Sequence, residues 1–516
     1  MNRVTKQLPY FLLAIILSAC SSNKPNLSQY RDMDVCADTP RDSTMTLSYQ
    51  LSDFSEQLLQ KTGVYLLDDG IVSLVARAWA TESAEKSIDV QYFIFSADNV
   101  GLIAVDHLLR AAQRGVKVRI LVDDITLKAD ADYLLAVDSH PNLSIKIYNP
   151  NINLGKTLPK KLSTLATDFR GANQRMHNKS VVVDGLLVIT GGRNIADEYF
   201  DYNHKYNFRD RDVLLLGSIA GTVQSSFNKF WNDPLSKTVT RLVKSTKSGI
   251  KDSVRIELLH QYACDPKHFL PELRKRIKRV PNKFESIHAS DDFQWVDSDS
   301  VSYISDVPGK SERTSGLLGG GISTDALINL VRKAKTSVTI QTPYLVTTEL
   351  GQNLFRDAVN RGVEVKIITN SLAATDNLGA FSGYQRDRHI LLEAGVKIFE
   401  FRPDAAVRLK KMSKAMDTRL HRAPVFGLHA KSMVVDGEIA IIGTFNLDPR
   451  SANLNTECIT VIHSDIIASR LQKVMDEECE PENAWAVTLE SHADAKAGFI
   501  KRFRVWIRRI IPKEIL

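Results

Sequence analysis

The strongest constraint on the fold is that the chain repeats itself. The run His177-Asn178-Lys179-Ser180-Val181-Val182-Val183-Asp184-Gly185 returns 252 positions later as His429-Ala430-Lys431-Ser432-Met433-Val434-Val435-Asp436-Gly437. The surrounding segments return in the same order. Ser87-Ile88-Asp89-Val90-Gln91-Tyr92 reads as a strand, and Ser337-Val338-Thr339-Ile340-Gln341-Thr342 is its counterpart. A helical stretch follows each. These end at Arg114-Gly115-Val116 and Arg361-Gly362-Val363, where glycine closes the helix and a buried strand begins. Leu143–Ile147 and Val396–Phe399 read as further strands. Strands alternating with helices predict an α/β sandwich in each half, and two such halves predict a pseudo-symmetric pair packed face to face.

This repeat divides the chain. A first half is expected over 59–280 and a second over 321–490, with 281–320 as the linker. That linker contains Pro281, Pro308 and Gly319-Gly320-Gly321 among many Ser and Asp, the composition of an irregular crossover. Hydrophobic residues make up 43% and charged residues 25%, as in a globular chain. The net charge of +7 leans towards anionic partners such as phospholipid surfaces or nucleic acid.

The chemistry is concentrated in the repeat. Each half carries His-x-Lys, an Asp five residues on, then a turn ending in Asn, Gly191-Gly192-Arg193-Asn194 or Gly443-Thr444-Phe445-Asn446. Residues two apart on a strand share a face, so imidazole and ammonium project together from a rigid element. Two lysines and two asparagines can hold the oxygens of a phosphodiester without a metal. Two imidazoles can divide the remaining work, one attacking phosphorus and the other protonating the departing oxygen. Asp212 and Glu457 each precede an apolar strand downstream of a histidine. We read them as the carboxylates that orient the rings, against the alternative of surface ion pairs.

The duplicated motif resembles the HKD motif of the phospholipase D superfamily. That resemblance implies two phospholipase D-type α-β-α sandwich halves sharing one active site at their interface. It gives a catalytic set of His177, Lys179, Asp184, His429, Lys431 and Asp436, with Asn194 and Asn446 on the substrate phosphate and no cofactor or metal. The two aspartates sit at strand-to-turn boundaries, where a structural job is expected of them. It implies a phosphohistidine on His177, with His429 as general acid; the near symmetry leaves the reverse open. Residues Gly191–Phe200, Phe208–Val213, Thr369–Asp376, Ser382-Gly383-Tyr384, Phe445–Ser451 and Leu454–Glu457 are similar to the bacterial C-type cardiolipin synthases. This likeness implies a phosphatidyltransferase making cardiolipin from phosphatidylglycerol or phosphatidylethanolamine through a phosphatidyl-histidine. The alternatives are a hydrolytic phospholipase D releasing phosphatidic acid and, further off, a nuclease. A nuclease is expected to be more basic overall, and no specific nucleic acid partner is expected. The basic run Arg408, Lys410, Lys411, Lys414, Arg419 and Arg422 could hold anionic headgroups, or be an ordinary solvated loop.

Both ends point to a membrane. Arg3 and Lys6 precede an apolar run from Leu8 to Leu17, then Leu17-Ser18-Ala19-Cys20. The run is short for a bilayer span and reads as a signal peptide over 1–19, with an uncleaved anchor as the alternative. Leu-Ser-Ala-Cys resembles a bacterial lipobox. That implies an acylated Cys20, a lipidated tether over 20–58 and a lipoprotein in the cell envelope facing the periplasm. The other cysteines, Cys36, Cys264, Cys458 and Cys479, allow three pairings. At the other end, 491–516 is expected to hold a basic amphipathic helix. Phe503, Trp506, Ile507, Ile510 and Ile511 make one apolar stripe, suited either to an anionic bilayer or to docking on the second half.

Overall fold

The structure, a computed structural model, describes residues 43–125, 130–150, 171, 173–244, 250–268, 283–310, 319–412 and 423–516. The leader, Cys20, Cys36 and most of the tether lie outside the described residues, as do Lys414, Arg419 and Arg422.

Each half is built on a mixed sheet. The first half supplies β1 (Lys61–Leu67), β2 (Ser87–Tyr92), β3 (Lys117–Asp123), β4 (Leu143–Tyr148), β5 (Ser180–Val183), β6 (Leu187–Gly191), β7 (Tyr206–Arg209), β8 (Asp212–Leu216), β9 (Ser236–Thr238) and β10 (Phe293–Asp297). The second supplies β11 (Val301–Ser305), β12 (Ser337–Gln341), β13 (Glu364–Asn370), β14 (Lys397–Phe401), β15 (Val425–Leu428), β16 (Ser432–Val435), β17 (Ile439–Gly443), β18 (Cys458–His463) and β19 (Ala484–Val487). The sheet orders are β10-β1-β8-β6-β5-β2-β3-β4-β9 and β11-β18-β17-β16-β12-β13-β14-β19. In each, three strands joined by helices run parallel (β2-β3-β4, β12-β13-β14) and the rest pair antiparallel. Long helices such as Gly70–Ser83, Ile219–Asn232, Ile322–Lys333 and Asp465–Glu477 cover the faces, giving two sandwiches.

The histidine strands sit mid-sheet, β5 between β6 and β2 and β16 between β17 and β12. Both faces of each are buried, which is why three of the four residues between Lys and Asp are apolar. Val181 and Val183 face their own half's core, while Val182 joins a third core shared by both halves. Met433, Val435 and Val434 divide in the same way. The shared core closes the sandwiches on one another through β6 and β8 against β17 and β18, with Leu215 and Ile442 among its members.

After each histidine strand comes an Asp-Gly turn. Asp184 and Gly185 take φ of 53° and 67°, and Asp436 and Gly437 take 55° and 70°. Positive φ at both central positions is the pattern of a type I′ hairpin, whose twist suits the flanking strands.

Residues 281–320 correct the expectation of an irregular linker. β10 adds an edge strand to the first sheet beside β1, and β11 forms the edge of the second beside β18. The crossover shrinks to the 3-10 turn Ser298–Ser300, so the second half begins at Val301 rather than 321.

Candidate active site

The two histidines are held by strand pairing that crosses between halves. β15 lies parallel to β7 in a two-stranded sheet of its own, with Leu428 opposite Arg209. The His429 N–H then donates to the Arg209 carbonyl at 2.7 Å. The first half mirrors this with a single parallel bridge between Met176 and Thr456, and the His177 N–H donates to the Thr456 carbonyl at 3.0 Å.

Each ring therefore meets an acid from the opposite half. His177 Nδ1 lies 2.8 Å from Glu457 Oε2, and His429 Nδ1 lies 2.6 Å from Asp210 Oδ2. Glu457 stands where the sequence placed an orienting carboxylate. Asp212 does not, and its assignment is corrected to Asp210. The strand register gives the reason. Gly191 pairs with Asp212 on β8, whereas its counterpart Gly443 pairs with Ile459 on β18. Asp212 thus corresponds to Ile459, and Asp210 to Glu457. The carboxylate of Asp212 instead accepts from Ser73 and Arg77, both at 2.9 Å, and from the Arg193 backbone at 3.1 Å.

Close packing makes room for the acids. A Cβ on Gly192 would fall 2.1 Å from an Asp210 carboxylate oxygen. The second half has Thr444 at that position. Its hydroxyl donates to Glu457 Oε2 at 2.5 Å, so the bulkier residue buttresses the acid it faces. Asp306, in the stretch first read as linker, accepts from the Glu457 N–H at 3.0 Å and from Lys310 Nζ at 2.8 Å.

The lysines complete a buried cationic pair. Lys179 Nζ donates to the His177 carbonyl at 2.7 Å, and Lys431 Nζ to the His429 carbonyl. Burial and the neighbouring Lys431 pull Lys179 down to about 7, and burial lowers Lys431 to about 8. Burial and both ammonium groups hold His177 well below the usual imidazole range, and burial with Lys431 takes His429 to about 4. The two acids differ. Burial raises Glu457 to about 8, whereas for Asp210 the charges of His429 and Lys431 outweigh burial and hold the carboxyl low.

The remaining expected residues divide. Asn446 is buried with an unpaired side-chain oxygen. Asn194 accepts from the Ile94 N–H at 3.0 Å and donates to the Tyr199 hydroxyl at 2.8 Å, which in turn stands 3.5 Å from His429 Nε2. Asp184 and Asp436, placed in the catalytic set, are corrected to turn braces. Asp184 accepts from the N–H groups of Glu85, Lys86 and Ser87 at 2.7–2.8 Å, and Asp436 from those of Lys335, Thr336 and Ser337 at 2.7–3.0 Å. Sequence reasoning missed the aromatic walls: Phe93 stands edge-on to His177, and Tyr199 and Phe208 flank His429. Tyr199 and Phe208 belong to segments that carried the family resemblance, which was the available signal.

The described part of the basic run is engaged by neighbouring groups, with Lys410 exposed. Lys411 reaches Asp68 at 2.5 Å, Lys410 reaches Glu477 at 2.7 Å, and Arg408 donates to the Pro403 carbonyl at 3.2 Å. Cys264 is disulfide-bonded, whereas Cys458 and Cys479 are free. Among the described residues, Asp106, His260 and Cys264 have ligand atoms close enough for a metal, but that sulfur is already in a disulfide.

The chain matches the family described as cardiolipin synthase, PLD-like domain, over residues 80–231 and 327–479, one segment per half. It is 31% identical to cardiolipin synthase C of Escherichia coli K12 over 88% of this chain and 90% of that one. It is 30% identical to an uncharacterised protein of Helicobacter pylori J99 over 83% of this chain and 81% of that one. The crystal structure of phosphatidylserine synthase from Haemophilus influenzae superposes with a TM-score of 0.57 at 14% identity, covering 90% of this chain and 99% of that one, a likeness of fold.

Proposed function

Because the chain belongs to the cardiolipin synthase, phospholipase D-like family, we propose that it is a phosphatidyltransferase that joins two phospholipids into cardiolipin through a phosphatidyl-histidine. The observation that carries this reading is the crossed pair of histidine–carboxylate contacts around Lys179 and Lys431. Phosphatidylglycerol or phosphatidylethanolamine is the donor.

His177 attacks first. Its Nε2 forms a bond to phosphorus while the bond to the headgroup oxygen breaks, and His429 gives that oxygen a proton. In the second step His429 takes a proton from the glycerol hydroxyl of an incoming phosphatidylglycerol. The oxygen attacks phosphorus, the P–N bond breaks and His177 is freed. Lys179, Lys431 and Asn446 carry the oxygens on which charge gathers, with Asn194 holding Tyr199 against His429. The difference between the two acids supports these roles. An ionised Asp210 favours the imidazolium that a general acid needs, and the stronger depression of His177 suits attack as a neutral ring. The anionic substrate raises both lysines and His429 on arrival.

A membrane setting favours transfer over hydrolysis, because it excludes water and concentrates acceptor lipid. No described helix is long and apolar enough to cross a bilayer. The C-terminal helix Phe499–Arg508 offers a surface contact instead. It docks on the helix Leu378–Glu393 through a fully buried Val505, and Lys501 donates to the carbonyls of Ala373 and Thr375 at 3.0 and 2.9 Å. Its stripe faces out, with Phe499 74%, Trp506 63% and Ile510 85% exposed beside exposed Arg502 and Arg504. Aromatic residues beside arginines suit an anionic bilayer surface. With an acylated Cys20 this makes two attachments to the envelope.

One assay separates the readings. Purified protein with labelled phosphatidylglycerol in bilayers should yield labelled cardiolipin and glycerol. Phosphatidic acid as the sole labelled lipid would make the enzyme a hydrolase, the second step then taking water. A denatured adduct should carry phosphatidyl on His177, and its appearance on His429 in His177→Ala would reverse the two roles.

A further inference from the structure

The two halves part company at one place beside the site. In the first half, a buried polar network ties the helix Gly70–Ser83 to the strand ends beneath it, beside the space that the helix Asn99–Gln113 bounds. Arg77 donates to the Tyr92 hydroxyl at 3.0 Å and to Asp212 at 2.9 Å, and Arg193 reaches the Leu67 carbonyl at 2.7 Å and Asp212 at 3.4 Å. The cavity left there measures about 50 Å³. At a constant offset along the helix Ile322–Lys333, Leu327 replaces Arg77. By the strand register, Thr342 replaces Tyr92, Phe445 replaces Arg193 and Ile459 replaces Asp212. Four polar partners have become three apolar residues and a small threonine; Leu327 and Phe445 line the equivalent cavity, of about 740 Å³, and all four border a narrow gap beside it.

This cavity is apolar inside and polar at its rim. Leu327, Leu354, Phe355, Met433, Phe445 and Leu447 line it, and Glu349, Lys513 and Glu514 stand among its charged residues. It also approaches the chemistry. Phe445 and Leu447 flank Asn446, and Met433 follows Lys431 by two residues on the same face of the strand. A narrow gap lined by Lys431, Thr342 and Phe445 shares Leu327, Met433 and Leu447 with the cavity. Its volume falls within the roughly 300–1,000 Å³ typical of ligand sites. An apolar void of this kind forfeits the dispersion contacts that a hydrocarbon would restore.

We propose that the second-half cavity takes one acyl chain of the phospholipid whose phosphate lies between the histidines, an assignment that rests on the phosphatidyl-transfer reading above. The matching space of the first half, beside its polar network and only about 50 Å³ in volume, takes none. The enzyme thereby grips its substrate asymmetrically, with the chain seated beneath the motif that carries the general acid. Lys513 and Glu514 follow Ile510 by three and four residues, so a chain leaving the bilayer beside the exposed helix meets the cavity rim.

The test fills the cavity. A Cβ at Gly351 would come no nearer than 3.7 Å to its surroundings, so Gly351→Phe has room to project inward; Ala452→Phe does the same from the opposite wall. The full chain is compared on dioctanoyl- and dibutyryl-phosphatidylglycerol, with folding checked by thermal midpoint. Loss of two or more buried methylenes should lower the ratio of kcat/KM for the longer lipid over the shorter by about tenfold or more. A second arm needs no turnover. A phosphatidylglycerol bearing a photoactivatable dodecyl chain should label 324–331, 350–355 or 445–453 in the wild type and lose that label in both variants. An unchanged ratio in a folded variant, or a label outside these segments, overturns the proposal. If neither lipid is turned over, the phosphatidyl-transfer reading fails, and the labelling alone decides the cavity.

Discussion

At the scale of the residue, the site turns on which carboxylate touches which ring. Asp210 and Asp212 stand two positions apart and do different work, so their amides should fail differently. Asp210→Asn removes the charge that supports the His429 imidazolium, and kcat should fall about 10²- to 10⁴-fold with little change in the denaturation midpoint. Asp212→Asn strands Arg77 and Arg193 in a buried position, which should cost about 3–5 kcal/mol in a urea titration. The lysines supply a pH test. Lys179 and Lys431 titrate near 7 and 8 in the free enzyme, and an anion between them favours the charged forms. Binding of a phosphodiester analogue should therefore take up protons at pH 8 and weaken as pH rises towards 9. Calorimetry in buffers of different ionisation enthalpy measures the uptake, and a pH-independent affinity would contradict it. The histidines, lysines and Glu457 were legible in the sequence because the motif is duplicated with constant spacing. Asp210 was not legible there, because Asp212 also precedes an apolar strand and only the pairing of Gly191 with Asp212 and of Gly443 with Ile459 shows the two-residue offset.

At the scale of the element, hairpin turns and one terminal helix carry the testable content. Asp436 binds three consecutive backbone N–H groups, and these bonds outweigh burial and hold its carboxyl below the usual range. Asp436→Ala should cost about 1–3 kcal/mol in stability while leaving the chemistry of folded enzyme close to wild type, as read by active-site titration. Truncation before Phe499 should lower partition of an unacylated form onto anionic vesicles by about tenfold or more, through loss of Phe503, Trp506 and their neighbours. Unaltered vesicle binding would leave the helix a docking element alone. β2 to β5 and their counterparts β12, β13, β14 and β16 were readable, in their order along the chain, from apolar runs and glycine stops. β10 and β11 were not, because five-residue edge strands such as Val301-Ser302-Tyr303-Ile304-Ser305, set among Ser and Asp, look like loop until a partner strand supplies the pairing. The helix pattern fixed which residues share a stripe but not what the stripe meets; an exposed Trp506 opposite a buried Val505 needed the structure.

At the scale of the whole molecule, a pair of fused sandwiches was foreseeable, and their interlocking was not. Among the described residues, the short turn Ser298–Ser300 between β10 and β11 is the place where a cut would leave both sheets whole. Fragments ending at Asp297 and beginning at Ser298 should each be inactive alone and regain turnover when mixed, because β7 must still find β15. Activity in either fragment by itself would refute the crossed arrangement. The same arrangement bears on biosynthesis. His177 lies 280 residues upstream of Glu457, the acid its ring touches. A chain emerging from the ribosome has His177 long before it has Glu457, and Asp210 waits likewise for His429. Neither ring can meet its acid until the second sandwich has closed over the first.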